Sequence, residues 1–188
     1  PGHWNVRKED NKVTLQIENL YRGKTGFDYR TNIEYTVAAD GSILVNSTII
    51  PSTKGVIIPR IGYRMELPEG FERMRWYGRG PLENYVDRKD ATYVGVYDEL
   101  VSDQWVNYVR AQEMGNREDL RWISITNPDG IGFVFIAGDK MSASALHATA
   151  QDMVDPANPH SAALRNFADL FSVLSYYLWR EVIRQKNL

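Results

Sequence analysis

Residues 33–45 read IEYTVAADGSILV. Ile33, Tyr35 and Val37 alternate with Glu34, Thr36 and Ala38, the two-residue period of a strand with one apolar face. Ile43 and Val45 resume the period after Asp40-Gly41. An Asp-Gly pair between two alternating runs is a strong short-range hairpin signal, because it suits the tight turns that match strand twist. Upstream, Val13, Leu15 and Ile17 show the same alternation. Downstream, strand-like runs follow at 57–67, 72–77, 91–97, 120–126 and 132–137, the last two separated by Pro128-Asp129-Gly130. Many short strands with frequent turns predict a mainly β chain folded as an antiparallel sandwich.

Composition narrows the function classes. At 188 residues the chain can bury one good core. A net charge of −2 offers no electrostatic pull toward nucleic acid or an anionic membrane. Hydrophobic residues at 43% point to a folded domain rather than a disordered one. There is no cysteine, so disulfides, thiolate catalysis and cysteine metal sites are excluded. The opening, PGHWNVRKEDNKV, lacks the apolar run of a signal peptide and is expected to lie inside a longer chain.

From residue 161 the pattern changes. SAALRNFADLFSVLSYYLWREVIRQKNL contains neither Gly nor Pro. Leu164, Phe167, Ala168, Phe171, Leu174, Leu178 and Val182 recur mostly at three- and four-residue steps, which predicts a helix over 161–188. Arg184 and Lys186 suit its negative pole. Asp169, Arg180 and Glu181 argue against a membrane span. Its apolar face is expected to pack on the sandwich or on a second copy, giving a homodimer through 161–188.

The densest chemistry lies at residues 76–89, WYGRGPLENYVDRK. Gly78, Gly80 and Pro81 shape a turn that holds Glu83, Asn84 and Tyr85 in fixed directions. Aromatic faces stack on the apolar side of a pyranose while Asn, Glu and Arg take its hydroxyls. Trp76, Tyr77, Arg79, Glu83, Asn84, Tyr85 and Arg88 make that mixture. Glu113, Asn116 and Arg117, between Tyr108 and Trp122, offer a second set. The competing explanation is a polar staple that satisfies loop backbone. No His-x-His or His-Glu-x-x-His spacing is present, so no metal site is expected.

WYGRGPLENYVDRK resembles the signature of the carboxy-terminal domain of bacterial β-galactosidases of glycoside hydrolase family 2. PRIGYRMELPEGFERMRWYG (59–78), YVRAQEMGNREDLRW (108–122) and SALHATAQDM (144–153) follow in the family's order. The likeness covers about residues 50–160. Leu82, Val86 and Ala111 depart from it, where His or Gln, Pro, and Pro are usual. The resemblance implies an incomplete β-sandwich of galactose-mutarotase-like type over 1–160, followed by a tail, 161–188, outside the family pattern. The family's entry motif and the strands that follow His160 are not recognised, as in a truncated or frame-shifted gene.

Retaining hydrolysis of a β-galactoside needs two carboxyl groups about 5–5.5 Å apart. In the family these groups, with the magnesium and sodium ligands, sit mainly on a central barrel that nothing here resembles. The resemblance therefore implies no catalytic residue and no cofactor in this fragment. It implies a support for the barrel, with the enzyme's other domains or a second copy as partners and galactosides as candidate ligands. A carbohydrate-binding module and a dimerising interaction module are the alternatives. Mutarotase relatives use a histidine and a glutamate for ring opening, which makes His147, with Glu113 or Glu83, a candidate pair. Family members occur in the cytoplasm and, in some glycan-degrading bacteria, outside it, so cytoplasm and periplasm both stay open.

Overall fold

A computed structural model describes residues 2–24, 26–53, 61–109, 112–149, 154–155, 158–162 and 172–177. They fall into two compact units, one ending at Pro59 and the other beginning at Arg60. The first is a four-stranded antiparallel meander of β1 (His3–Glu9), β2 (Lys12–Arg22), β3 (Asp28–Ala38) and β4 (Ile43–Pro51), in that order. The predicted Asp-Gly hairpin joins β3 to β4. Gly41 takes φ +86°, and the Asp40 carboxylate accepts the Ser42 amide at 2.9 Å. Register puts Val6, Leu15, Tyr35 and Val45 in one row, and Asn5, Gln16, Glu34 and Asn46 in the next. Strand alternation thus gives this sheet one apolar and one polar face.

The second unit is built on a six-stranded sheet. Its strands are β5 (Gly62–Leu67), β6 (Arg73–Gly80), β7 (Tyr93–Leu100), β8 (Arg117–Thr126), β9 (Gly132–Leu146) and β12 (Ser172–Tyr177). The spatial order is β5-β12-β9-β8-β6-β7, antiparallel at every pairing. A short pair, β10 (Val154–Asp155) and β11 (Asn158–Ala162), stands apart from it. Along β6 every second residue is buried: Met74, Trp76, Gly78 and Gly80. Met74 and Trp76 sit opposite Ile125 and Ile123 of β8. With Leu67, Val101, Leu120, Met141, Ala143 and Ala145 they form the core under the site.

The mainly β, antiparallel architecture agrees with the sequence, and so does the turn at 127–131, where Gly130 adopts φ +78°. The helix expected over 161–188 is not what is found at 172–177. Those residues form β12, paired with β5 on one side and β9 on the other. An open slot between two strands leaves two rows of backbone groups unpaired, and a strand inserted there satisfies both. That gain outweighs the modest helix propensity of SVLSYY. Ser161 and Ala162 belong to β11, and the rest of the predicted helix lies outside the described residues.

Candidate functional site

The site is a knot of polar side chains where the 81–92 loop meets the 105–116 loop above the end of β8. Asn84 is fully buried and ties the loops together. Its side-chain amide donates to the Leu82 carbonyl at 2.8 Å, and its side-chain oxygen accepts the Glu118 amide at 2.8 Å. Its own backbone N–H donates to the Asn116 carbonyl at 2.9 Å. The Asn116 side chain returns a bond to the Asn84 carbonyl at 2.8 Å. The two motifs are thus two halves of one hydrogen-bonded unit. Asn84→Ala orphans the buried Glu118 amide and removes the bond to the Leu82 carbonyl, so a loss of about 2 kcal/mol is expected in urea unfolding.

Glu83 is the second tie. One carboxylate oxygen accepts from the Arg88 guanidinium at 2.5 Å and from the Tyr108 hydroxyl. The other accepts the Gly115 amide at 2.8 Å. Gly115 has φ +73°, a left-handed conformation that glycine takes without strain. Arg88 also lies over the Tyr85 ring, 5.3 Å from its centroid. Burial, with the neighbouring Glu83 charge, pushes the Tyr85 phenol well above its ordinary range. Tyr85 therefore stays protonated at physiological pH.

Beneath these lies Arg117, only 3% exposed. Its guanidinium stacks 4.8 Å over the Trp76 ring. It donates to Glu99 at 3.0 Å, to the Gln104 side chain at 2.7 Å and to the Asn116 carbonyl at 3.2 Å. Burial pulls its pKa down and the Glu99 charge opposes that; an arginine keeps its proton regardless. Trp76 is fully buried, and its indole N–H donates to the Arg79 carbonyl at 3.0 Å.

Arg79 extends the network outward. It donates to Asp119 at 2.6 Å and to the Thr92 and Lys89 carbonyls at 2.8 and 3.2 Å. Asp119 sits at φ +54°, unusual for a residue with a side chain, at an irregularity in the β8–β9 register. Burial opposes ionisation of Asp119, but the Arg79 hydrogen bond, followed by the Lys89 charge, holds its pKa below the ordinary value. Gly78 admits this local geometry, since a Cβ there would meet the Leu120 side chain at 2.5 Å and its Cα at 2.9 Å.

Eight of the eleven candidate residues therefore meet in one place: Trp76, Arg79, Glu83, Asn84, Tyr85, Arg88, Asn116 and Arg117. Tyr77 points to the other side of β6, 38% exposed, with Arg121 5.3 Å over its ring. Glu113 is exposed on the 105–116 loop. The Nε2 of His147 lies 2.6 Å from the Glu72 carboxylate. Glu72 in turn accepts from the Ser102 hydroxyl and from its amide at 2.8 Å. The sequence did not single out Glu99, Gln104, Glu118, Asp119 or Glu72. Glu118 and Asp119 directly follow Arg117 and were open to notice, whereas Glu99, Gln104 and Glu72 arrive only through folding.

The Glu72 cluster carries a pH signature. Burial alone would raise the Glu72 pKa; the Ser102 hydrogen bonds, then His147, outweigh it, and the folded-state value lies below the ordinary one. A depressed carboxylate contributes stability above its unfolded pKa, roughly 4.3, and loses it as pH falls through the folded value. Wild type should therefore exceed Glu72→Gln in melting temperature at pH 6, and the gap should narrow by pH 3. A gap unchanged between those pH values would contradict the assignment.

Such geometry defines a class: an antiparallel β domain whose two loop motifs are locked by part-buried ion pairs and amide hydrogen bonds. The chain belongs to the β-galactosidase small chain family, whose model matches residues 3–176. That match runs past His160 and reaches into β12. The chain is 39% identical over 102 residues to a β-galactosidase of Priestia megaterium, covering 54% of this chain and 10% of that protein. It is 36% identical over 131 residues to one of Halalkalibacterium halodurans, covering 68% and 13%. With one of Lactobacillus delbrueckii subsp. bulgaricus it shares 32% over 149 residues, 78% and 13%. The chain thus spans little more than a tenth of the length of these relatives.

Proposed function

We propose that this chain is a non-catalytic domain of a β-galactosidase of the glycoside hydrolase family 2 type, which buttresses the catalytic barrel and walls the substrate entrance. One observation carries this: most polar groups of the two motifs are bonded to each other, the buried Tyr85 hydroxyl and Arg117 Nε being exceptions. Glu83 serves Arg88, Tyr108 and Gly115; Asn84 and Asn116 serve each other's backbone; Arg117 serves Glu99 and Gln104. Aromatic faces are engaged in the same way. Trp76 is buried beneath Arg117, and Arg88 and Arg121 each cover a face of Tyr85 and Tyr77. Groups so occupied hold loops in shape rather than wait for a sugar. The small share of its relatives that the chain spans supports the same view.

In this role the reacting carboxyl groups, and the magnesium and sodium sites of the whole enzyme, belong to other domains. Among the described residues no three His, Asp or Glu side chains converge as a metal site. The test is complementation. The H. halodurans relative, truncated to remove its matching segment, is assayed on a chromogenic β-galactoside with and without this chain. Recovery of turnover only when both are mixed, with neither active alone, is expected. Turnover by this chain alone would overturn the non-catalytic role. A truncated enzyme that is fully active unaided would overturn the supporting one.

A further inference from the structure

The outer strand of the six-stranded sheet has an open side. β7 pairs with β6 in unbroken register from Tyr93 to Leu100, and among the described residues no strand pairs with its other edge. Edge strands are normally guarded by lysine, proline, a bulge or short length. β7, YVGVYDEL, has eight residues with none of these devices. Tyr93 is 76% exposed and Val96 52%. Its two acids are already engaged with their own chain, Asp98 with Arg73 and Glu99 with Arg117. The Tyr93 and Leu100 carbonyls accept from the Tyr97 hydroxyl and the Gln104 amide. Between them, among the described residues, the edge is mostly apolar and open to main-chain hydrogen bonds.

We propose that β7 is a self-association edge, on which two copies of the chain pair antiparallel about a two-fold axis through Val96. Continuing a sheet requires residues of the same face to meet across the axis. With Val96 on the axis, Val96 faces Val96, Gly95 faces Tyr97, Val94 faces Asp98 and Tyr93 faces Glu99. No acid then meets an acid, whereas an axis through Asp98 would oppose two carboxylates. An axis through Tyr97 also separates the acids and, like the Val96 axis, sets one valine against Asp98. The Val96 axis is favoured by the sheet behind it. Val96, Tyr77, Trp122 and Ile136 form one exposed or half-exposed apolar row across β7, β6, β8 and β9. Only this axis joins that row to its own copy. Self-association is thereby assigned to β7 rather than to the 161–188 tail.

The absence of cysteine makes the test clean. Residues directly opposed in an antiparallel pair have Cα atoms about 4.5–5.5 Å apart, within disulfide range. Val96→Cys should form a covalent dimer under mild oxidation, while Val94→Cys and Ile136→Cys, exposed but off the axis, stay unlinked. By light scattering the wild type should be a dimer at tens of micromolar. Val96→Lys, which sets two charges against each other on the axis, should weaken association at least tenfold while its circular dichroism is unchanged. A monomeric wild type would overturn the proposal. So would a dimer that Ile136→Cys links as readily as Val96→Cys, because its contact would lie on the sheet face.

Discussion

Arg117→Ala is expected to lower the unfolding free energy by about 3 kcal/mol, at the low end of the range for breaking a buried ion pair. The guanidinium joins four elements of the site: the β7 end through Glu99, the 3₁₀ turn Ser102–Gln104 through Gln104, the 105–116 loop through the Asn116 carbonyl, and β6 through the Trp76 ring. Alanine leaves all of those acceptors without the charge they were arranged around. The loss is not larger because Glu99 is partly exposed and keeps the Gln104 amide at 2.8 Å. Arg117→Met with Glu99→Leu should recover much of the deficit, since replacing a buried pair by apolar groups is often neutral or better. Urea unfolding of the single and double variants measures this coupling.

Trp76→Ala should cost more, about 4 kcal/mol, from removing a fully buried indole and leaving a cavity. The lost N–H bond to Arg79 adds about 1 kcal/mol. Trp76 contacts Arg117, so the two losses should sum to less than their separate values when combined. Trp76→Phe keeps most of the packing and should recover over half of the deficit. Such a graded series marks a packing role. A sugar platform would instead tolerate truncation in the absence of ligand and show its loss only in binding.

Local signals carried most of the strand assignment. Asp40-Gly41 and Pro128-Asp129-Gly130 set their turns through backbone chemistry that needs no distant partner, and the alternation in β2–β4 and β6 is visible residue by residue. The helix expected at 172–177 failed for the opposite reason. SVLSYY is ambiguous between helix and strand, and its choice is made by β5 and β9, more than 100 and about 30 positions upstream. The site divides in the same way. Most residues that meet there lie within two short motifs, so their clustering was legible. Their partners were not: Glu99 and Gln104 become neighbours only through strand pairing and loop return. Burial was equally hidden. A run of Trp, Tyr, Arg and Asn looks like a cleft on paper, and only the alternation of β6 sends Trp76 inward and Tyr77 outward.

The central claim, that the two motifs lock each other instead of holding sugar, is tested most directly by titrating the 188-residue chain with galactose and lactose. Tryptophan fluorescence and calorimetry report the outcome, with Trp76 and Trp122 as internal probes. A flat response from a sample with a cooperative thermal transition is the expected result. Saturable binding that Arg88→Ala or Tyr85→Ala abolishes, with folding intact, would contradict it.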